Sequence, residues 1–365
     1  MFSYWLNSVL DGANPARFHA VNILLHFLNS VLTFRILTSF LASRWTAVFL
    51  AGIFLVHPLQ TESVSYIAGR SESLCALFFL GAYATFLARS PAPISWRRSA
   101  AILALYTAAS MTKEHAVVLP ALLLLTSPKT IRQDWRLYAP LSVLALAGLA
   151  MVASVLAASK SAGFNTHGVT WYEYALTQCR AIFHYVRLSL IPIGQSIDHD
   201  FPVSRTPFEY HAWIYLVALL LLVSAAYYFR HRYPLAAFGT FAFLILLAPT
   251  SSIIPVADPF AERRMYIPLI ALLLIAAEPL RRFRVSMPAA ALVLGLLSFL
   301  TYQRNRLWAD PVAFWIDTVS QSPQKSRPYS HLAEAALSAN RCAAVAPVFD
   351  DAYKRLPNDY FILTG

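Results

Sequence analysis

Apolar runs recur along the chain from Arg17 to Tyr302, and short loops rich in Arg and Lys separate them. Residues 137–158 alone are long enough to cross a bilayer. Such a pattern cannot fold as a water-soluble core and predicts an all-α polytopic bundle, because in lipid a helix satisfies its own backbone. Composition agrees: 58% of the 365 residues are hydrophobic and 13% charged, where a soluble domain carries about 25% charge. The net charge of +11 would suit nucleic acid if it were clustered. Here the basic residues mostly lie between apolar runs, which is a topology signal. No nucleic-acid partner is expected. The chain reads as about ten spans over residues 1–302, then a linker and a first helical repeat over 303–365.

One stretch concentrates ionisable groups between two apolar segments. Residues 57–72, HPLQTESVSYIAGRSE, hold His57, Glu62, Arg70 and Glu72. Charges at a membrane edge are expensive, which makes this stretch a functional candidate. As a helix it would put Glu62, Tyr66 and Arg70 on one face. A solvated loop with a salt bridge accounts for the same residues.

The helix expected from residue 17 to residue 41 carries His19, Asn22, His26 and Asn29 at i, i+3, i+7 and i+10. This polar stripe should face the bundle interior. Interhelical hydrogen bonding explains the stripe more cheaply than a metal, since two turns separate the histidines. Arg180, His184 and Arg187 fall on one basic face of an apolar segment, which reads as an interfacial or partly re-entrant helix. Cys75, Cys179 and Cys342 show neither paired nor metal spacing, and no metal is expected.

If the spans alternate, Arg44, the 89–98 loop with Arg89, Arg97 and Arg98, the 129–136 loop, Arg230 with Arg232, and Arg281, Arg282 and Arg284 share one side. The positive-inside rule makes that side cytoplasmic. The opposite side then collects the 57–72 stretch, TKEH at 112–115, the 159–210 region with Asp198 and Asp200, ADPFAERR at 257–264, and the tail. In the tail, Tyr329, Leu332, Ala333, Phe349, Ala352 and Pro357 match the spacing of a tetratricopeptide repeat. A single repeat cannot bury its own apolar face, and more repeats or a fragment are expected.

Arginines at a membrane edge suit a lipid-tethered phosphate, because the guanidinium fork makes bidentate charge-assisted bonds. A carboxylate nearby can act as general base on a hydroxyl. The candidates for donor-phosphate binding are Arg263, Arg264 and Glu262. Lys113, Glu114, Asp198, Asp200 and Arg187 are further site candidates. Headgroup anchoring and structural ion pairs are the plainer reading of the same residues. A transporter also gathers charge inside a bundle.

Several segments in order carry a family resemblance: NPARFHAVNILLHFLNS, HPLQTESVSYIAGRSE, MTKEHAVVLP, ADPFAERRMYIPL, and RNRLWADPVAFWIDTVSQSPQKSRPYSHLAEA. Together they resemble the transmembrane and TPR-containing (TMTC-like) protein O-mannosyltransferases, which have a C-type membrane glycosyltransferase fold. The resemblance implies a polyprenyl- or dolichyl-phosphate sugar donor, typically mannose, an inverting mechanism and no other cofactor. It implies site-shaping roles for His57, Glu62 and Arg70, and a donor-phosphate role for Arg263 and Arg264. The family's catalytic acid belongs to the first extracytoplasmic loop, which is expected upstream of Met1. Asp11 lies close by, but in a Gly/Asn/Pro turn, and is not assigned that role.

The function expected is therefore transfer of a sugar from a lipid phosphate to a protein hydroxyl on the extracytoplasmic face, with the tail presenting an acceptor protein or partner. A lipid-linked sugar flippase and an inactive membrane-anchored scaffold are the alternatives. An integral, multi-pass protein of a bacterial inner membrane, its active face periplasmic, is expected. In a eukaryote the corresponding place is the endoplasmic reticulum with a lumenal face.

Overall fold

The computed structural model describes residues 2–12, 14–88, 93–158, 162–164, 168–283, 285–357 and 362. Arg89 and Arg284 of the basic loops lie outside the described residues, as does the side chain of Asp11. Among the described residues the protein is all-helical, with one isolated bridge between Ala162 and Val256.

The helices follow one another closely. α1 (Phe2–Asp11) precedes α2 (Pro15–Phe40), α3 (Arg44–Val56), the short α4 (Thr61–Val64) and α5 (Arg70–Leu87). Next come α6 (Trp96–Thr112), α7 (Leu119–Thr126), α8 (Trp135–Ala158) and α9 (Trp171–Leu190). α10 (Ala212–Tyr228), α11 (Pro234–Leu247), α12 (Pro268–Leu280) and α13 (Met287–Trp308) complete the apolar part. α14 (Pro311–Gln321), α15 (Ser326–Ser338) and α16 (Cys342–Arg355) follow. Local sequence sets the starts. Asn14, Ser43, Ser95, Ser286 and Asp310 each accept a hydrogen bond from the first turn of the helix they precede. Proline then stands in the first turn of α2, α13 and α14, where no amide donor is needed.

α2 is built inside out relative to a soluble helix. Asn22, His26, Asn29, Ser30 and Thr33 are buried, while Ile23, Leu24, Phe27 and Val31 are exposed. Of the polar stripe expected from the sequence, Asn22, His26 and Asn29 face protein and His19 is only partly buried, and the apolar face is left for lipid. α8 shows the same logic at its extreme. Val143, Leu146, Leu149 and Val155 are all exposed. Among the described residues three helical segments are long and apolar enough to cross a membrane: Pro15–Phe40, Trp135–Ala158 and Glu209–Tyr228. A fourth candidate is the bent pair Arg44–Val56 and Pro58–Val64.

The core forms where α2, α3, α5, α6 and α12 meet, around Leu37, Phe54, Phe79, Phe86 and Tyr106. α11 and α12 run antiparallel and very close. A Cβ added at Gly239 would stand 2.7 Å from the Ala271 carbonyl, so only glycine permits this approach. A second apolar cluster joins α14, α15 and α16 through Val312, Tyr329, Leu332, Ala336, Val345 and Ala352. α15 and α16 form a hairpin whose turn puts Asn340 at φ 54°. Of the residues at the repeat spacing, Tyr329, Leu332 and Ala352 lie inside this cluster and Phe349 packs against it.

Candidate functional site

The 57–72 stretch turns twice. α3 stops at His57, where proline follows and the chain leaves the helix. The His57 Nδ1 accepts the Leu59 amide at 3.2 Å, and its Nε2 meets the Ser189 carbonyl at 3.0 Å. A carbonyl only accepts, so the proton sits on Nε2 and the ring is a neutral pin between the turn and α9. The turn delivers α4, and α4 carries Glu62 inward until it is 4% exposed.

Glu62 meets Arg263 twice. Its Oε2 accepts the Arg263 amide at 2.8 Å, and its Oε1 accepts the Arg263 guanidinium at 2.7 Å. A buried carboxylate with a single cationic partner depends on it heavily, since losing that partner leaves an uncompensated charge. This contact joins the 57–72 stretch to the ADPFAERR loop across most of the chain.

The three consecutive charges of that loop point three ways. Glu262–Met265 is a 3-10 turn, and three residues per turn spread successive side chains by a third of a circle each. Glu262 is buried and accepts from Gln195 Nε2 at 2.9 Å, the Ser196 amide at 2.7 Å and His199 Nε2 at 2.7 Å. Arg263 reaches Glu62. Arg264 folds back on its own loop, donating to the carbonyls of Asp258 at 2.6 Å, Pro259 at 3.1 Å and Thr250 at 3.3 Å.

Beside this turn lies a cavity of about 420 Å³. Its polar end is lined by Glu72, Lys113, Glu114, His115, Arg263 and Arg264, with Tyr266 on the wall. The rest is apolar: Phe79 of α5, Leu149 and Leu156 of α8, and Leu246 of α11. Lys113 sits in extended backbone between α6 and a 3-10 turn, Glu114–Val118. From there its ammonium contacts Glu72 at 2.7 Å, and His115 stands 3.7 Å from the other Glu72 oxygen. Burial pushes the Glu72 carboxyl up, but His115 and Lys113 pull it down further, and its net pKa is lowered. The same pair holds the Lys113 ammonium above its ordinary range despite burial. Glu72 and Lys113 therefore face each other as an ion pair at the polar end.

The other residues singled out in the sequence divide by location. Arg70 is fully buried and stands apart from the cavity lining. It donates to Asn22 Oδ1 at 2.8 Å, Asn7 Oδ1 at 2.9 Å, and the carbonyls of Phe18 at 3.0 Å and Ser3 at 3.1 Å. The Tyr4 and Phe18 rings flank its guanidinium at 4.7 and 5.2 Å. Arg187 is exposed and donates to the Ile193 carbonyl at 3.1 Å. Asp198 contacts Lys325 and Arg327, each at 2.6 Å, and the Asp200 amide donates to Ser322 Oγ at 3.1 Å. Both belong to the junction with the C-terminal helices. Among the described residues no group of three or more His, Cys, Asp or Glu is placed to hold a metal ion.

Sequence reasoning passed over Tyr266. Its hydroxyl stands 2.8 Å from His26 Nδ1 and accepts from Asn29 at 3.0 Å, while His26 Nε2 meets the Leu55 carbonyl at 3.0 Å. The inward stripe on α2 thus ends on a tyrosine of the cavity wall. The stripe's demand for a partner was the available signal. The partner's position, hundreds of residues away, was not.

The chain is similar over part of its length to curated protein O-mannosyl-transferases. It is 31% identical to human TMTC3 over 120 residues, 32% of this chain and 13% of that protein. It is 32% identical to Drosophila melanogaster Tmtc2 over 123 residues, 32% of this chain and 13% of that protein. It is 40% identical to Mus musculus TMTC1 over 87 residues, 24% of this chain and 9% of that protein. The family resemblance read from the motifs is thus borne out over about a third of the chain, and the matched part spans 13% or less of these relatives' own length. No family model matches the chain, and no solved structure matches it.

Proposed function

We propose that the chain forms the membrane core of a glycosyltransferase with about ten spans. In this reading it moves a sugar from a polyprenyl- or dolichyl-phosphate carrier to a protein hydroxyl on the extracytoplasmic face. The relatives are named protein O-mannosyl-transferases, which supports mannose as the sugar and a protein as the acceptor. The observation that carries the reading is the two-ended cavity: ionised groups at one end, hydrocarbon walls of α5, α8 and α11 at the other. A phosphate on an isoprenoid tail has the same division.

In this reading Lys113 and Arg263 face the phosphate. Both are already braced, Lys113 by Glu72 and Arg263 by Glu62. A braced cation costs little reorganisation when charge grows on the leaving phosphate oxygen. Transfer breaks the bond from the sugar C1 to that oxygen and forms a bond from C1 to the acceptor oxygen, whose proton passes to a carboxylate. Glu262 and Arg264 act at one remove, holding the turn that aims Arg263. Asp198, Asp200 and the helices α14–α16 form the side on which an acceptor protein or partner approaches, with residues 303–365 the start of a tetratricopeptide array.

The test supplies membranes containing the protein with radiolabelled polyprenyl-phosphate mannose and a serine/threonine-rich peptide. Label is expected on the peptide, falling at least tenfold in Lys113→Ala and in Arg263→Lys, which keeps the charge and loses the fork. Label that crosses the bilayer with no covalent product would replace this reading with a flippase.

A further inference from the structure

The α11–α12 pair has a second end. About 20 Å from the cavity, one helix length away, a groove of about 580 Å³ opens between the end of α10, the start of α11 and the end of α12. Leu222, Ala225, Phe229 and Ile275 give it an apolar wall, and Tyr233 and Arg282 stand in its lining. Two guanidiniums stand near the Tyr233 ring, Arg232 at 5.5 Å and Arg282 at 5.7 Å from its centroid.

The charge around this groove is one-sided. Arg282 of the lining is exposed, as are Arg281 next to it and Arg230 and Arg232 between α10 and α11. The acid in the lining, Glu278, is already engaged. One oxygen accepts the amides of Leu235 at 2.7 Å and Ala236 at 3.2 Å, capping α11, and the other stands 3.4 Å from Arg281. Among the described residues no carboxylate pairs with Arg232 or Arg282. Exposed guanidiniums over a tyrosine, above a hydrocarbon wall, present a phosphate site and a chain site in continuous order.

We propose that this groove binds an anionic glycerophospholipid, its phosphate between Arg232 and Arg282 and one acyl chain along the α10–α12 wall. The ligand is a lipid rather than a free phosphate because the greater part of the lining is hydrocarbon. Its charge complementarity favours an anionic over a zwitterionic headgroup, in which a choline would face the same arginines. The inference does not rest on the transferase reading. Both could hold or fail separately, since the groove and the cavity share no lining residue.

The test is native mass spectrometry of the full chain in detergent, titrated with phosphatidylglycerol or phosphatidylcholine of matched chains. One phosphatidylglycerol is expected to stay bound, at least tenfold more tightly than phosphatidylcholine. Arg232→Gln with Arg282→Gln, both at exposed positions, should erase that preference. Ala225→Trp fills the wall from an exposed position and should displace the lipid with the arginines intact. sn-Glycerol 3-phosphate, which has no chain, should not compete. Equal binding of the two lipids, an unchanged preference in the double variant, or competition by the chainless phosphate would overturn the proposal. Unchanged helical circular dichroism in each variant separates lost binding from lost fold.

Discussion

Arg263 grips Glu62 with its backbone and its side chain at once, at 2.8 and 2.7 Å. The backbone contact fixes where the ADPFAERR loop stands. The side-chain contact fixes where its guanidinium points. Glu62→Ala removes both and leaves Arg263 half-buried without its carboxylate. Because Arg263 reaches solvent, the loss should fall at the low end of about 3–5 kcal/mol. Thermal unfolding in detergent measures it. Glu62→Leu with Arg263→Met should cost less than the sum of the single changes, the mark of a coupled pair. Strict additivity would show that the contact carries no such energy.

Gly69 tests the same geometry from the other side. Its φ is ordinary, so only space matters. A Cβ there would stand 2.7 Å from the Glu62 carbonyl and 3.0 Å from the Ser63 carbonyl. Gly69→Ala must push α4, and Glu62 with it, away from Arg263. Destabilisation of about 1–3 kcal/mol is expected. Faster hydrogen exchange should appear in residues 258–264, which are remote in sequence. Faster exchange confined to residues 61–70 would show that α4 moves without transmitting the shift.

Much of this arrangement was legible before any coordinates, and the limits were physical. The polar stripe of α2 could be read because helical periodicity is a property of adjacent sequence. Placing Glu62 and Arg263 in one site needed the motif resemblance, and their contact needed the fold. The divergence of Glu262, Arg263 and Arg264 was not legible, because three adjacent charges look alike until a 3-10 turn separates them. Asp198 is similar. Its partners Lys325 and Arg327 lie in the tail, where the repeat spacing drew attention to apolar positions instead.

That junction predicts a pH dependence. Burial pushes the Asp198 carboxyl up, but Arg327 and Lys325 pull it down further, and the net pKa falls below the ordinary 3.8. A group depressed in the folded state adds stability above its ordinary value and loses it as pH falls through the folded value. Asp198 should therefore hold α14 and α15 to the 195–200 loop at neutral pH and release them progressively as pH falls below the ordinary 3.8 toward the lower folded value. Arg327 is half exposed, so its share is about 1 kcal/mol or less. Limited proteolysis across residues 300–325, with an acid-active protease, should accelerate on acidification. Asp198→Asn should give accelerated cleavage at pH 7 and little further change in acid. A variant as protected as the natural chain would remove the junction from consideration.

Arg70 separates a structural role from a role at the reacting centre. Its guanidinium is taken up by Asn7, Asn22 and two carbonyls, so it ties α1 and α2 to the start of α5. Replacing it leaves buried amide oxygens without donors, each costing about 1–3 kcal/mol. Arg70→Lys keeps a charge but cannot span four acceptors from one plane. It should loosen α1, seen as faster hydrogen exchange over residues 2–11, and lower the unfolding temperature. Affinity for a polyprenyl phosphate should change less than twofold, because Arg70 does not line the cavity. A tenfold loss of that affinity with α1 still protected would return Arg70 to the site, in the role the motif resemblance implies.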